Sequence, residues 1–263
     1  MKSRIASDFA YQLIALALAF VVVHSAYVFA IRPAADAVVA EQMQQQAEGQ
    51  VTERSWLVVV RDYEQEACFV LMLWALAIMG AKARLATQER RLLKQPLLHI
   101  DEGTPILQQD ARELSRPLQN LDEDARQKLI PRALLLALQR FGASGQVTDA
   151  ANAVRETCET EGERLDSELS MIRYIAWAIP SIGFIGTVRG IGEALGQAHR
   201  AVEGDIAGVT VSLGVAFNST FIALLISILI MFCSHQLQLL QERLVLDAQA
   251  NCDNQLLRFL RGQ

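Results

Sequence analysis

The sequence predicts an all-α integral membrane protein. Four transmembrane helices are expected, with a helical cytoplasmic insert between the second and third and a last pair of long helices extending into the cytoplasm. Three observations carry this. The 263 residues are 52% hydrophobic with a mean hydropathy of +0.22, too apolar for a water-soluble domain of this length. The apolar residues gather into long runs divided by polar segments, the pattern of a chain that crosses a bilayer several times. Basic residues cluster beside those runs, where they set orientation.

Residues 1–31 hold the first predicted transmembrane helix, the run Phe9–Ile31, long enough to cross about 30 Å of hydrocarbon at about 1.5 Å per residue. Lys2 and Arg4 precede it and place the N-terminus in the cytoplasm. A cleaved signal peptide competes, because Val28-Phe29-Ala30 resembles a small-residue cleavage site. The run exceeds the roughly 7–15 apolar residues of a signal core, which favours a retained helix. Residues 32–66 are polar, acidic and rich in glutamine, with Gly49 as a break, and are placed in the periplasm. The second span, 67–82, is short, and its flank assigns it: Lys82, Arg84, Arg90, Arg91 and Lys94 form the densest basic cluster of the chain.

Residues 83–170 read as a cytoplasmic helical region punctuated by Pro96, Pro105, Pro117 and Pro131. The stretch Pro131–Phe141 suits a helix with proline in its first turn and a stop at Gly142. A further helix is expected to start near Thr148 or Asp149 and to run without a break as far as Pro180, with Gly162 its weak point. Residues 171–235 contain the third span (Met171–Gly196) and the fourth (Ile206–His235), joined by a short polar link. The tail, 236–263, keeps helical spacing at Leu237, Leu240, Leu244, Ala248, Leu256 and Phe259 and continues the fourth helix. Both termini then lie inside.

Several function classes fall away. A net charge of −5 with no dominant basic stripe argues against nucleic acid as a partner. Cys68, Cys158, Cys233 and Cys252 form no CxxC pair, and the four histidines are scattered, so neither a metal nor a hydrolytic centre is expected. The chain reads as neither an enzyme nor a cofactor protein.

The last two spans carry the distinctive residues. Pro180, Gly183, Thr187, Gly190 and Ala194 recur at steps of three and four in one; Ser212, Ala216, Thr220, Ala223 and Ser227 do so in the other. Each set lies on one helical face. Such faces suit close helix packing, and hydroxyls from two adjacent helices also suit a polar path for a small cation. Arg189 and Glu193 lie four residues apart on the third span, near its outer end. At about 2.5–3.5 kcal/mol each for central positions, charges in a span seldom face lipid. An interfacial ion pair and an entrance or rotor contact both fit them. No carboxylate stands in mid-span, so a proton path here needs one from a partner.

The stretch "IPSIGFIGTVRGIGEAL", followed by "GVTVSLGVAFNSTFIALLISILI", resembles the MotA/TolQ/ExbB proton-channel family over Ile172 to Met231. The resemblance rests on a proline, a G-x-x-GTV-x-G run in one span and a small-residue run with a threonine in the next. It implies that the last two spans are pore helices, with Thr187 and Thr220 as pore-lining hydroxyls; the spacing adds Ser212 and Ser227 as further pore-lining candidates. Pro180, Gly183, Gly186 and Gly190 would shape the first pore helix. It also implies a homopentamer around two copies of a single-span ExbD/TolR/MotB-like subunit whose membrane aspartate carries the proton. The setting would be the bacterial inner membrane. Arg189 stands where the family often has a bulky apolar residue, and Ala223 where it often has glycine. Two spans before the insert resemble the flagellar-stator branch, whereas the GTV-x-G run is closer to the TolQ/ExbB branch.

Two function classes follow: a proton-conducting motor subunit, or a non-conducting oligomeric scaffold or signalling subunit that keeps the packing seams. A secondary transporter is disfavoured, as the chain shows no inverted repeat and no broken-helix pair.

Overall fold

A computed structural model describes residues 2–47, 55–93, 97–98, 100, 104–204 and 206–262. Gly49 and Lys94 lie outside the described residues, as do the side chains of Lys2 and Arg4. The described chain is helical, with one isolated bridge between Ile106 and Leu260. The helices are α1 (Lys2–Ala26), a π turn (Tyr27–Ile31), α2 (Arg32–Ala47), α3 (Trp56–Val59), α4 (Tyr63–Leu92), α5 (Ala111–Gln119), α6 (Glu123–Arg126), α7 (Leu129–Ser144), α8 (Val147–Glu168), α9 (Ser170–Gly196), α10 (Ala198–Val202) and α11 (Ala207–Gln255). Among the described residues, four stretches are long and apolar enough to cross a membrane: Asp8–Gln42, Tyr63–Leu92, Val147–Gly196 and Ala207–Phe259.

The chain divides into two compact units, Met1–Gly80 with Met171–Ser234, and Ala81–Ser170 with His235–Gln263. In the first, α1 packs on α4: the Trp74 indole N–H donates to Gln12 O (2.9 Å) and the Tyr11 hydroxyl to Ala77 O (3.2 Å). The other side of α4 meets α9, where Cys68 Sγ lies 3.7 Å from Ile179 O. The buried residues of α9 fall on one side of it: Ile172, Ile175, Ile179, Gly183, Gly186, Gly190 and Ala194. Tyr174, Trp177, Phe184, Ile185, Val188 and Leu195 point away and are exposed, as are Phe217, Phe221, Leu224, Ile228 and Phe232 of α11. Apolar faces this wide belong against lipid or other protein rather than water.

The second unit has an ordinary apolar core. Helices α7 and α8 bury Leu134, Ala137, Leu138 and Phe141 against Ala150, Val154 and Cys158, and Ala248, Cys252 and Leu256 of α11 close the same cluster. Ion pairs border it: Arg132–Glu161 (2.8 Å), Arg164–Glu168 (2.6 Å), Lys82–Glu168 (2.6 Å) and Arg90–Asp247 (3.3 Å). Two members of the basic cluster that follows the second span are therefore engaged within the chain.

Two expected boundaries shift. The helix expected to stop at Gly142 continues to Ser144, because Gly145 is the residue that turns left-handed (φ 71°) and bonds its N–H to Phe141 O at 2.8 Å. Pro131 sits at its third position, where an absent N–H leaves no bond unmade. The helix from α8 toward the third span is interrupted at Leu169, whose N–H makes a tight bond to Asp166 O (3.1 Å), and α9 then runs through Pro180. Gly162 lies inside α8 without interrupting it.

Phe141 is fully buried, so Phe141→Ala removes about 3–5 kcal/mol of packing. Hydrogen exchange of the full-length protein is expected to show α7 and α8 losing protection together.

Candidate functional site

Helices α9 and α11 meet along a seam cut by glycines. A Cβ added at Gly183 would lie 2.5 Å from Ala223 Cβ, at Gly186 2.5 Å from Ser219 Cβ, and at Gly190 2.8 Å from both Ala216 N and Ser212 O. The backbones thus approach more closely than any side chain there allows. At Gly192 an added Cβ meets no heavy atom within 4 Å, which sets it apart from the seam.

That approach brings the hydroxyls together. Thr187 and Thr220 bond to each other through their Oγ1 atoms. Thr220 Oγ1 also donates to Gly183 O (3.0 Å), and Thr187 Oγ1 lies 3.1 Å from Ala216 O. Each hydroxyl has one proton, so with Thr220 bonded to Gly183 O, Thr187 shares its own among Thr220, Ala216 O and Gly183 O (3.3 Å). Ser212 Oγ accepts from Gln197 Nε2 at 3.2 Å. Thr187 of α9 and Thr220 of α11 thus meet across the seam, and Ser212 of α11 bonds to the residue just past the end of α9.

Pro180 has a specific counterpart. Lacking an N–H, it frees the carbonyl four residues before it, Ala176 O, from the helical ladder. Ser227 Oγ donates to that carbonyl at 3.1 Å. A proline on one helix and a serine on the next thus satisfy one polar group.

The charges form a larger arrangement than Arg189 and Glu193 alone. Arg189 Nη1 does reach Glu193 Oε1 (2.9 Å). Its two-pronged partner, however, is Glu64 in the first turn of α4, at 2.7 Å (Nε to Oε1) and 2.9 Å (Nη2 to Oε2). Gly186 makes room for it: an added Cβ there would lie 3.0 Å from Glu64 Cγ. Two residues along α4, and so about 200° around it, Glu66 faces the other way. Its Oε1 lies 2.6 Å from His24 Nδ1 and its Oε2 accepts from Arg32. At about 100° per residue His24 and Arg32 would stand about 80° apart, but the extra residue of the π turn reduces this to about 20°. The π bond itself is Arg32 N–H to Tyr27 O. Arg32 also stacks over the rings of Tyr63 (4.3 Å) and Tyr27 (5.5 Å). Between the two glutamates, buried Gln65 donates to Val59 O (3.1 Å).

Sequence reasoning missed Glu64, Glu66, His24 and Arg32. The signal available was "EQE" at the head of an apolar run, two carboxylates on opposite faces of one helix, together with an arginine inside another span.

The family model of the MotA/TolQ/ExbB proton channel family matches residues 112–250, more than half of the chain. The chain belongs to the MotA/TolQ/ExbB proton channel family. No curated protein and no solved structure matches it. Family membership makes it a proton-channel-type energy-transducing subunit, and its four apolar helices make it a multi-pass membrane protein. The family works with single-span partner proteins. The matched region takes in the glycine seam, both threonines, Arg189 and Glu193, whereas Glu64 and Glu66 fall outside it.

Gly190→Ala forces a Cβ against backbone atoms and is expected to destabilise by about 1–3 kcal/mol. Gly192→Ala, in open space on the same helix, should be neutral or gain up to about 1 kcal/mol. Thermal unfolding of the two variants in one detergent compares them directly. Ser227→Ala should cost about 1 kcal/mol by stranding Ala176 O, and adding Pro180→Ala should recover most of it by restoring the helical bond. A double-mutant cycle on the same unfolding signal reads that coupling.

Proposed function

We propose that this chain is the proton-conducting subunit of an ion-driven motor in the bacterial inner membrane. Five copies would surround two copies of a single-span ExbD/TolR/MotB-like subunit, and the partner's membrane aspartate would carry the proton. Flow through the α9–α11 seam would then turn one component against the other and do mechanical work on the cell envelope. Both termini and the region 83–170 would be cytoplasmic, with the tail of α11 alongside them. The observation that carries this reading is the pairing of Thr187 and Thr220 in a seam that has no acid of its own. Between Ser170 and Leu240 the only carboxylates are Glu193, one turn from the end of α9, and Glu203 and Asp205, which lie between α9 and α11 in the sequence. Hydroxyls can pass and orient a proton but do not store it at neutral pH, so a partner's carboxylate completes the path.

A second reading, a non-conducting membrane scaffold or signalling subunit, is favoured by one feature. Every hydroxyl of the seam is already bonded within the chain, as packing alone requires.

Thr187→Val and Thr220→Val keep side-chain size and separate the two. The motor reading expects proton flux in proteoliposomes holding the complex to fall at least about tenfold, with the oligomer intact by native mass spectrometry. Unchanged energy transduction in both variants would favour the scaffold. Native mass spectrometry of the wild-type complex tests the five-to-two stoichiometry.

A further inference from the structure

Arg189 is a permanent cation about two turns before the end of α9, and its side chain is 40% exposed. Left alone it would repel any cation approaching that end of the seam. The structure does not leave it alone. Glu64 covers the guanidinium with both carboxylate oxygens and Glu193 adds a third bond. Two carboxylates against one guanidinium leave one net negative charge, and it is presented rather than hidden, since Glu193 is 46% exposed. Other charges do not reverse this: Arg61 faces Asp36 at 3.4 Å and Asp62 at 3.9 Å, and Arg200 and Glu203 of the α9–α11 connection are opposite in sign. Glu64 itself is only 12% exposed and sits in the space left by Gly186, so its position is built into the packing.

We infer that the Glu64–Arg189–Glu193 cluster makes this end of the α9–α11 hairpin a cation-attracting mouth, with Glu64 as the residue that sets its sign. Carboxylates at an opening raise the local concentration of cations and arginines that of anions. Glu64 decides between the two by cancelling Arg189 from a different helix. The inference rests on the seam being an ion path for its consequence, selectivity, but the electrostatic field can be measured without any ion crossing.

The probe is a thiol at Gly196, seven residues beyond Arg189 and with no heavy atom within 4 Å of an added Cβ. In full-length Gly196→Cys protein, with Cys233→Ser to remove the only native thiol that is not buried, two methanethiosulfonates of similar size are compared, one cationic and one anionic. Glu64→Gln and Glu193→Gln are each expected to lower the cationic-to-anionic rate ratio about threefold at low ionic strength, and Arg189→Gln to raise it. High salt should erase these differences. The pair Glu64→Gln with Arg189→Gln restores the original net charge and should restore the ratio, which separates a charge effect from a loosened helix. Gly192→Cys, equally open, gives a second position for the same comparison. A ratio unmoved by Glu64→Gln at both positions overturns the inference, even if the seam conducts. A flux unchanged by Thr187→Val and Thr220→Val, with the ratio behaving as stated, would instead overturn the conduction reading and leave the mouth in place.

Discussion

The membrane unit depends on the distance at which α9 and α11 approach each other. Gly183, Gly186 and Gly190 remove the side chains that would hold the backbones apart, and the consequences follow in order. At that separation a threonine hydroxyl reaches the facing helix's carbonyl, so Thr187 and Thr220 bond to each other and to backbone. Ser227 reaches the carbonyl that Pro180 has freed. Gly186 also opens a notch toward α4, which Glu64 fills on its way to Arg189. In lipid, where no water is at hand to satisfy stray polar groups, packing and hydrogen bonding become the same requirement.

Helix α4 is the second organiser. Its first turn places Glu64 and Glu66 on opposite sides, each holding an arginine from a different segment: Arg189 of α9 and Arg32 at the start of α2. Acidic residues suit this helix end, where the dipole is positive, and Arg90 and Arg91 suit the other. The π turn at Tyr27–Ile31 belongs to the same arrangement, because without its extra residue His24 and Arg32 would not share a face. The second unit is held by different means. Its α7–α8 core is built from large apolar side chains, Phe141 foremost, with ion pairs at the rim. One chain thus packs its α9–α11 seam with small residues and its α7–α8 core with large ones.

Much of this was legible because it depends on spacing alone. Length and hydropathy set the four apolar helices and the all-α class, and a period of 3.6 is enough to put the small residues of each seam on one face. The motif around Gly183–Gly190 pointed to the family that the family model then matched. Two helix boundaries were misplaced for local reasons. Gly142 and Gly145 are both able to end α7, and only the tertiary setting gives the left-handed turn to the second. Pro180 looks like a break, yet a helix tolerates proline when a neighbouring hydroxyl takes the freed carbonyl, and Ser227 lies 47 residues further along the chain.

The sequence by itself determined which residues lie on which helical face, that charges occur within the third span, and that the last two spans contain no central acid. It could not say which helix each face meets. Arg189 and Glu193 are four apart and pair as any helix allows, but the stronger partner, Glu64, is 125 residues away. Local geometry follows from bond lengths and helical pitch, which every stretch of chain carries with it. The pairing of Glu64 with Arg189, of Glu66 with Arg32 and His24, and of Ser227 with Ala176 depends on which helices stand side by side. That is settled only when the whole unit packs, because a buried charge or carbonyl takes the partner that packing brings within reach.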